Sequence, residues 1–213
     1  RNTSGHGWFS ARMVGLTYIG TVGACAGKMV AMASPNDSQQ KFNWATVLKH
    51  EVIHVINLQQ TNYNLPHWFA EAIAVYNEGY PRAKTWDQLL VERVPKGDVF
   101  NLDTINLGFI RPKSGIDWQM AYCQAELYAE YLVERFGDVA FAKLLDAYRE
   151  NQSTAEALES CFGVEQAEFE EGYREYVDRV VAEIQVAPAA AAGDFSEVER
   201  AAREQPDNPD LQA

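Results

Sequence analysis

The sequence predicts an α+β fold, in which a small N-terminal β-sheet is followed by a mostly helical chain. Residues 8–34 are rich in glycine, aromatic and β-branched residues, a composition typical of short strands and turns. From residue 40 onwards, apolar residues recur at spacings near three and four, which is the period of a helix that packs by one face. The chain has 213 residues, enough for one domain with a short appended segment.

The N-terminal sheet is predicted to contain two or three strands within residues 8–34. The last of them runs from Lys28 to Ser34, and Pro35 ends it because proline cannot donate to a ladder. This last strand is a candidate sheet edge, and such an edge can pair with an extended peptide.

Two helices follow the sheet. The first is predicted from Gln40 to Gln59 and the second from Pro66, a favoured first-turn residue, to Glu78. The apolar residues expected to pack beneath the first helix are Val52, Val55 and Ile56.

The second half of the chain is predicted to be almost entirely helical. A short helix over 84–94 is followed by a long irregular loop over 95–118, and loops of that length inside a domain are often functional. Further helices are expected near 119–136, 138–150, 153–161 and 165–185. Residues 187–213 begin with proline and alanines and form either a linker or the truncated start of helical repeats.

The composition excludes several classes of function. The formal charge is -12, and the first 80 residues contribute +1 to it, so the remainder is strongly acidic and disfavours nucleic-acid binding. No apolar run is long enough to span a membrane. The three cysteines show no C-x-x-C spacing, and we expect all of them to be small buried hydrophobes. The chain begins at Arg1 without a visible signal peptide, which leaves the compartment open.

All four histidines fall in the near-neutral first third, and two of them form a metal motif. His50-Glu51-Val52-Ile53-His54 is an H-E-x-x-H sequence on the first predicted helix. Residues four apart share a helix face, so both imidazoles can reach one Zn²⁺ at about 2.0–2.1 Å. Glu51 is rotated by about 100° and can act on a water molecule instead, as a general base must. The alternative is a chance occurrence of a short pattern.

A third ligand is offered by the next helix. Glu71 stands in an apolar run between Phe69 and Ile73, where a carboxylate is costly unless it has a partner. Catalytic zinc takes three protein ligands and one open position, so Glu71 completes the set with His50 and His54. The alternative is an ordinary solvated helix residue. His67, four residues earlier, is either a substrate or second-layer contact or a residue at the helix start or cleft rim, and Trp68 and Phe69 are expected in the core.

The H-E-x-x-H motif followed by the W-F-x-E helix resembles the gluzincin zinc metallopeptidases, which include thermolysin-like and aminopeptidase-like enzymes. The peptidase MA-like domains are the group it is most similar to, and the stretches GWFSARMVGL, GKMVAMASP and AYCQAELYAEYLVERFG add to the likeness. The resemblance implies a thermolysin/aminopeptidase-like catalytic domain over residues 1–186. The segment after it is either a linker or the start of tetratricopeptide-like repeats.

The resemblance also implies the roles of individual residues. His50, His54 and Glu71 match the ligands of one Zn²⁺ per chain, and Glu51 matches the catalytic glutamate. Tyr122 matches a tyrosine that stabilises the oxyanion; alternatively it is a core tyrosine, with Tyr128 as the substitute. The sequence departs from relatives in three ways: Ala72 replaces a common glycine, Val75 replaces the aspartate that orients the first histidine, and the G-A-M-E-N sequence that holds a substrate amino terminus is missing. Glu78 is a candidate replacement for that aspartate.

The function that these residues predict is zinc-dependent hydrolysis of peptide bonds, with a peptide or protein as substrate. Zinc would lower the pKa of its water to about 7, and Glu51 would carry the proton to the leaving amine. The alternative is an inactive zinc-binding scaffold for protein partners, which C-terminal repeats would help to bind. His6 is expected to have no catalytic part.

Overall fold

The computed structural model describes residues 22–36 and 42–186. They form two strands, eight α-helices and a 3-10 turn, so the α+β prediction is confirmed. The strands are β1 (Gly23–Cys25) and β2 (Val30–Met32), and the helices are α1 (Trp44–Gln60), α2 (His67–Tyr76), α3 (Lys84–Arg93), α4 (Ile105–Ile110), α5 (Gly115–Phe136), α6 (Ala140–Arg149), α7 (Thr154–Phe162) and α8 (Gln166–Val186). The strands predicted before residue 22, His6, and the segment 187–213 lie outside the described residues.

The two described strands form an antiparallel hairpin in which Ala24 pairs with Ala31. The amide of Ala33 donates to the carbonyl of Val22, and the amide of Ala26 donates to that of Met29. Because hydrogen-bonded positions alternate along an antiparallel pair, the backbone groups of Gly23 and Cys25 point away from β2. The hairpin packs on α1.

Helix α1 begins at Trp44, where the side chain of Asn43 accepts hydrogen bonds from the amides of the first turn. Its buried residues are polar: Glu51, His54 and Asn57. The prediction that Val52, Val55 and Ile56 pack beneath the helix was wrong, because Val52 is 41% exposed, Ile56 is 56% exposed and Val55 is only half-buried. The face of α1 that carries Glu51 and His54 is turned towards the rest of the protein, and the apolar side chains of Val52 and Ile56 are exposed.

Helix α2 runs through the core between α1 and α5, and every residue from Trp68 to Val75 is buried. Trp68 and Phe69, at 1% and 0% exposure, are core residues as predicted. The amide of Trp68 donates to the side chain of Asn106, which caps the start of the helix in the absence of a capping side chain at Pro66. Glu71 is therefore held on a rigid, fully packed element.

Residues 95–118 are not the irregular loop that the sequence predicted. They contain the end of a 3-10 turn (Val94–Lys96), the short helix α4 and the first turn of α5. Gly108 brings α4 against α5, because a Cβ at this position would lie 2.7 Å from the Cβ of Ala121. The buried side chain of Gln124 accepts a hydrogen bond from the amide of Phe100 at 2.7 Å and donates one to the carbonyl of the same residue at 2.8 Å. These contacts place α4 beside the site.

The three cysteines are free, but only Cys123 is fully buried; Cys25 and Cys161 are half-buried, so the expectation of three core residues was wrong for two of them. Burial raises the pKa of the Cys123 thiol, which makes this side chain an unreactive apolar group. None of the helices in the described ranges combines the length and the apolarity that crossing a bilayer requires.

Candidate metal centre

Three side chains from α1 and α2 converge on one point. The Nε2 atoms of His50 and His54 lie 3.0 Å apart, and Oε2 of Glu71 lies 3.3 and 3.4 Å from them. The ring planes of His50 and His54 are nearly perpendicular, at 83°, so the lone pairs of their two Nε2 atoms point into the shared space from different directions. All three side chains are largely buried. The helix spacing in H-E-x-x-H thus produces the juxtaposition that the sequence predicted.

These residues fit a zinc ion. Ligand atoms at about 2.0–2.1 Å in a tetrahedral arrangement stand about 3.3 Å from one another, which is close to the spacing of these three atoms. Oε2 of Glu71 is buried without a hydrogen-bond partner, and a buried unpartnered carboxylate oxygen is costly unless something positive occupies the space before it. His50, His54 and Glu71 are also the one group of potential ligands with suitable spacing among the described residues.

His50 is oriented from behind by Glu78. Its Nδ1 lies 2.8 Å from Oε1 of Glu78, which directs Nε2 towards the other two ligand atoms. Carboxylates commonly hold metal-binding histidines in this way and fix the tautomer. Glu78 therefore makes the contact that an aspartate in place of Val75 would make in relatives. It lies beyond the end of α2 and not on it.

The charges of the clustered side chains depend on one another. Burial opposes charge on His50, but the nearby carboxylates of Glu71 and Glu78 outweigh it and raise the pKa of His50 to about 10. Burial likewise opposes charge on Glu71, but His54, His50 and His67 together hold its pKa well below the ordinary value.

Glu51 points from α1 onto the first strand of the sheet. A Cβ on Gly23 would lie 2.5 Å from Oε1 of Glu51, so the carboxylate packs against the backbone of a residue that has no side chain. Burial raises the pKa of Glu51, and the nearby imidazoles of His50 and His54 only partly counteract this. A carboxylate whose pKa is raised is a better proton acceptor for general acid–base chemistry.

Tyr122 lies on the second turn of α5 and lines the same cleft. Burial, then the charges of Glu71 and Glu51, raise the pKa of Tyr122 well above its ordinary value, so the phenol keeps its proton. Trp118 and Phe109 contact its ring edge to face, at 4.6 and 5.1 Å between centroids. Tyr128, the substitute candidate, lies elsewhere: it is fully buried, and its hydroxyl donates to Glu170 at 3.0 Å.

His67 stands at the rim of the cleft and contacts the third ligand. Its Nε2 lies 3.1 Å from Oε1 of Glu71, and its side chain is 41% exposed. The ring stacks on Phe109 with centroids 4.8 Å apart and an interplanar angle of 15°. The sequence left two interpretations of His67 open, a contact to the site and a residue of the rim. His67 is both.

The cleft has a volume of about 440 Å³. One wall is β1 (Gly23–Cys25), whereas the strand predicted from Lys28 to Ser34 does not line this cleft. Its pairing with an extended peptide stays a prediction. The described residues that line the rest of the cleft are mostly apolar and include Phe109, Ile110, Trp118, Tyr122, Leu58 and Leu65. The sequence did not predict Phe109, Ile110 and Trp118 as part of the cleft, because residues 95–118 show the pattern of an irregular loop.

Comparison with known proteins gives one match. The family model of the Peptidase MA superfamily matches residues 20–179, which include both site helices, the cleft walls from α4 and α5, and most of α8. A search of curated proteins and a search of solved structures returned no match. The match covers well over half of the chain and includes all of the converging ligands. The chain belongs to the Peptidase MA superfamily.

Proposed function

We propose that this protein is a zinc-dependent peptidase in which His50, His54 and Glu71 bind one zinc ion per chain. The observation that carries the proposal is the triangle of Nε2, Nε2 and Oε2 atoms at 3.0 to 3.4 Å, with a buried carboxylate oxygen that has no other partner. Membership of the Peptidase MA superfamily supports the same conclusion, because peptidases of that superfamily are typically zinc enzymes. The family match reaches α8, which supports one peptidase domain over residues 1–186.

His50, His54 and Glu71 would hold a zinc ion, which would supply Lewis acidity for the scissile carbonyl and would lower the pKa of a water molecule. Glu51 is the general base: its carboxylate accepts the proton of the attacking water and returns it to the leaving amine. Its elevated pKa suits both steps, since the same group must be basic enough to take the proton and acidic enough to give it back.

Tyr122 is proposed to stabilise the oxyanion. Its hydroxyl keeps its proton at neutral pH because burial and the neighbouring carboxylates oppose ionisation. A fixed donor that faces developing negative charge in a water-poor cleft lowers the barrier more than it strengthens substrate binding. The aromatic contacts with Trp118 and Phe109 hold the phenol in place.

The cleft favours a peptide over a small charged substrate. The side chains of Glu71, His50 and His54 are committed to the metal and Glu51 to proton transfer, and the remaining described walls are mostly apolar. The backbone groups of Gly23 and Cys25 that do not bond to β2 lie along this cleft and are suited to an extended chain.

The test compares the wild type with Glu51→Gln on a mixture of peptides that carry blocked termini, in the presence of zinc. Wild-type hydrolysis that falls by at least about a hundredfold in Glu51→Gln, with zinc content unchanged, is expected from loss of a general base. Zinc-loaded wild-type protein that cleaves none of the peptides would overturn the peptidase proposal and favour the inactive scaffold.

A further inference from the structure

The two oxygens of Glu71 have separate partners. Oε2 faces the imidazoles of His50 and His54 at 3.3 and 3.4 Å, whereas Oε1 lies 3.1 Å from Nε2 of His67. The carboxylate is 7% exposed, so its neighbours and not water determine which oxygen faces the metal position. A carboxylate without such a restraint can rotate or bind a metal through both oxygens.

The ring of His67 is itself restrained by α4. It stacks on Phe109, which is 1% exposed and therefore fixed in the core. One residue further along the chain, the amide of Trp68 donates to the side chain of Asn106 on the same short helix. Helix α4 thus positions both the ring of His67 and the first turn of the helix that carries Glu71.

We infer that His67 is a positioning residue for the metal: its Nε2–H donates to Oε1 of Glu71 and so presents Oε2 alone to the zinc ion. The inference rests on the proposed zinc site. Hydrogen bonds to a ligating carboxylate commonly set its orientation and contribute to metal affinity. The i,i+4 spacing of His67 and Glu71 on α2 makes the contact geometrically natural.

If the contact between His67 and Glu71 were an ordinary surface ion pair, loss of the His67 donor would have a different result. Exposed i,i+4 pairs contribute little to stability. Here one partner is half in solvent and the other is buried against two imidazoles, so loss of the donor should affect metal binding much more than folding.

The test uses two substitutions that separate the donor from the ring. His67→Phe retains an aromatic ring that can stack on Phe109 but has no donor, whereas His67→Gln loses the ring and retains an N–H at similar reach. Zinc affinity is measured by competition with a chelator, and the visible spectrum of the Co²⁺-substituted protein reports the ligand geometry. The thermal midpoint of the metal-free proteins controls for folding.

We expect His67→Phe to bind zinc about tenfold to a hundredfold more weakly than the wild type, with an altered Co²⁺ spectrum, and His67→Gln to stay within about threefold of the wild type. Equal zinc affinity in His67→Phe and the wild type would overturn the inference, as would an equal loss in both variants. If His67→Phe does not fold, His67→Ala supplies the donor-free comparison. Absence of zinc binding by the wild type would instead refute the proposed metal site.

Discussion

Glu51 rests on Gly23: a Cβ at residue 23 would lie 2.5 Å from Oε1 of Glu51 and 2.7 Å from Cγ1 of Val47. Strand β1 and helix α1 meet here at a distance that only glycine allows. The carboxylate of Glu51 is consequently positioned by the backbone of β1.

Gly23→Ala is predicted to displace Glu51 without disturbing the three metal ligands. The added methyl group must push the carboxylate or the helix away, and a misplaced base transfers protons slowly. We expect kcat to fall about tenfold to a hundredfold with zinc content unchanged. Gly115→Ala is the matched control, since nothing lies within 4 Å of a Cβ there. Equal activity of Gly23→Ala and Gly115→Ala would show that the contact does not position the base.

Glu78→Gln is predicted to weaken zinc binding about tenfold to a hundredfold, because Nδ1 of His50 loses the carboxylate that accepts its proton at 2.8 Å. Chelator competition measures the affinity. Glu159→Gln, on the exposed face of α7, removes one negative charge far from the site and controls for net charge. An equal change in both variants would mean that Glu78 acts only through long-range charge.

The sequence predicted the central part of the site and most of the helices. H-E-x-x-H on an amphipathic helix places two imidazoles on one face by helix geometry alone, and an isolated carboxylate in the apolar run around Glu71 indicated the third ligand. Glu78 could be named only as a candidate, because it lies past the end of α2 and its approach to His50 depends on how α1 and α2 cross.

Other features could not be predicted because they depend on tertiary packing. Periodicity identified α1 but not which face is buried, and the protein buries Glu51, His54 and Asn57 while Val52 and Ile56 remain exposed. Helix α4 is six residues long, too short to show a period, and it is positioned by close approach at Gly108 and by the capping contact of Asn106.

Tyr122→Phe is predicted to lower kcat about a hundredfold while zinc content and KM change little, because the hydroxyl acts on charge that develops only in the transition state. Tyr128→Phe is the matched control: it removes a hydroxyl from the same helix, but from a contact with Glu170 outside the cleft. Steady-state kinetics on one cleaved peptide measure both. A full-rate Tyr122→Phe would exclude the phenol from the chemistry.

Glu126 is predicted to make stability depend on pH. Burial, and then the charge of Glu130, raise the pKa of Glu126 from 4.5 to about 7, with Arg82 opposing. Because the folded state holds this proton more tightly than the unfolded state, its stabilising contribution is complete below about pH 4.5 and is lost as the pH rises to about 7.

Glu126→Gln removes this titration. The free energy of unfolding of the variant, relative to the wild type, should therefore rise by on the order of 2 kcal/mol between pH 4.5 and pH 8. Urea unfolding at several pH values, with both proteins in the same metal-free buffer, provides the comparison. Parallel stability curves would mean that Glu126 titrates normally in the folded protein.

Binding of a single zinc ion by His50, His54 and Glu71 can be measured as metal content. The protein is purified without chelator, reconstituted with zinc and dialysed, and zinc per chain is measured for the wild type, Glu71→Ala and Glu159→Ala. We expect about one zinc per chain in the wild type and in Glu159→Ala, and much less in Glu71→Ala. Wild-type protein that holds no zinc after reconstitution, or Glu71→Ala protein that retains it fully, would refute the proposed zinc site.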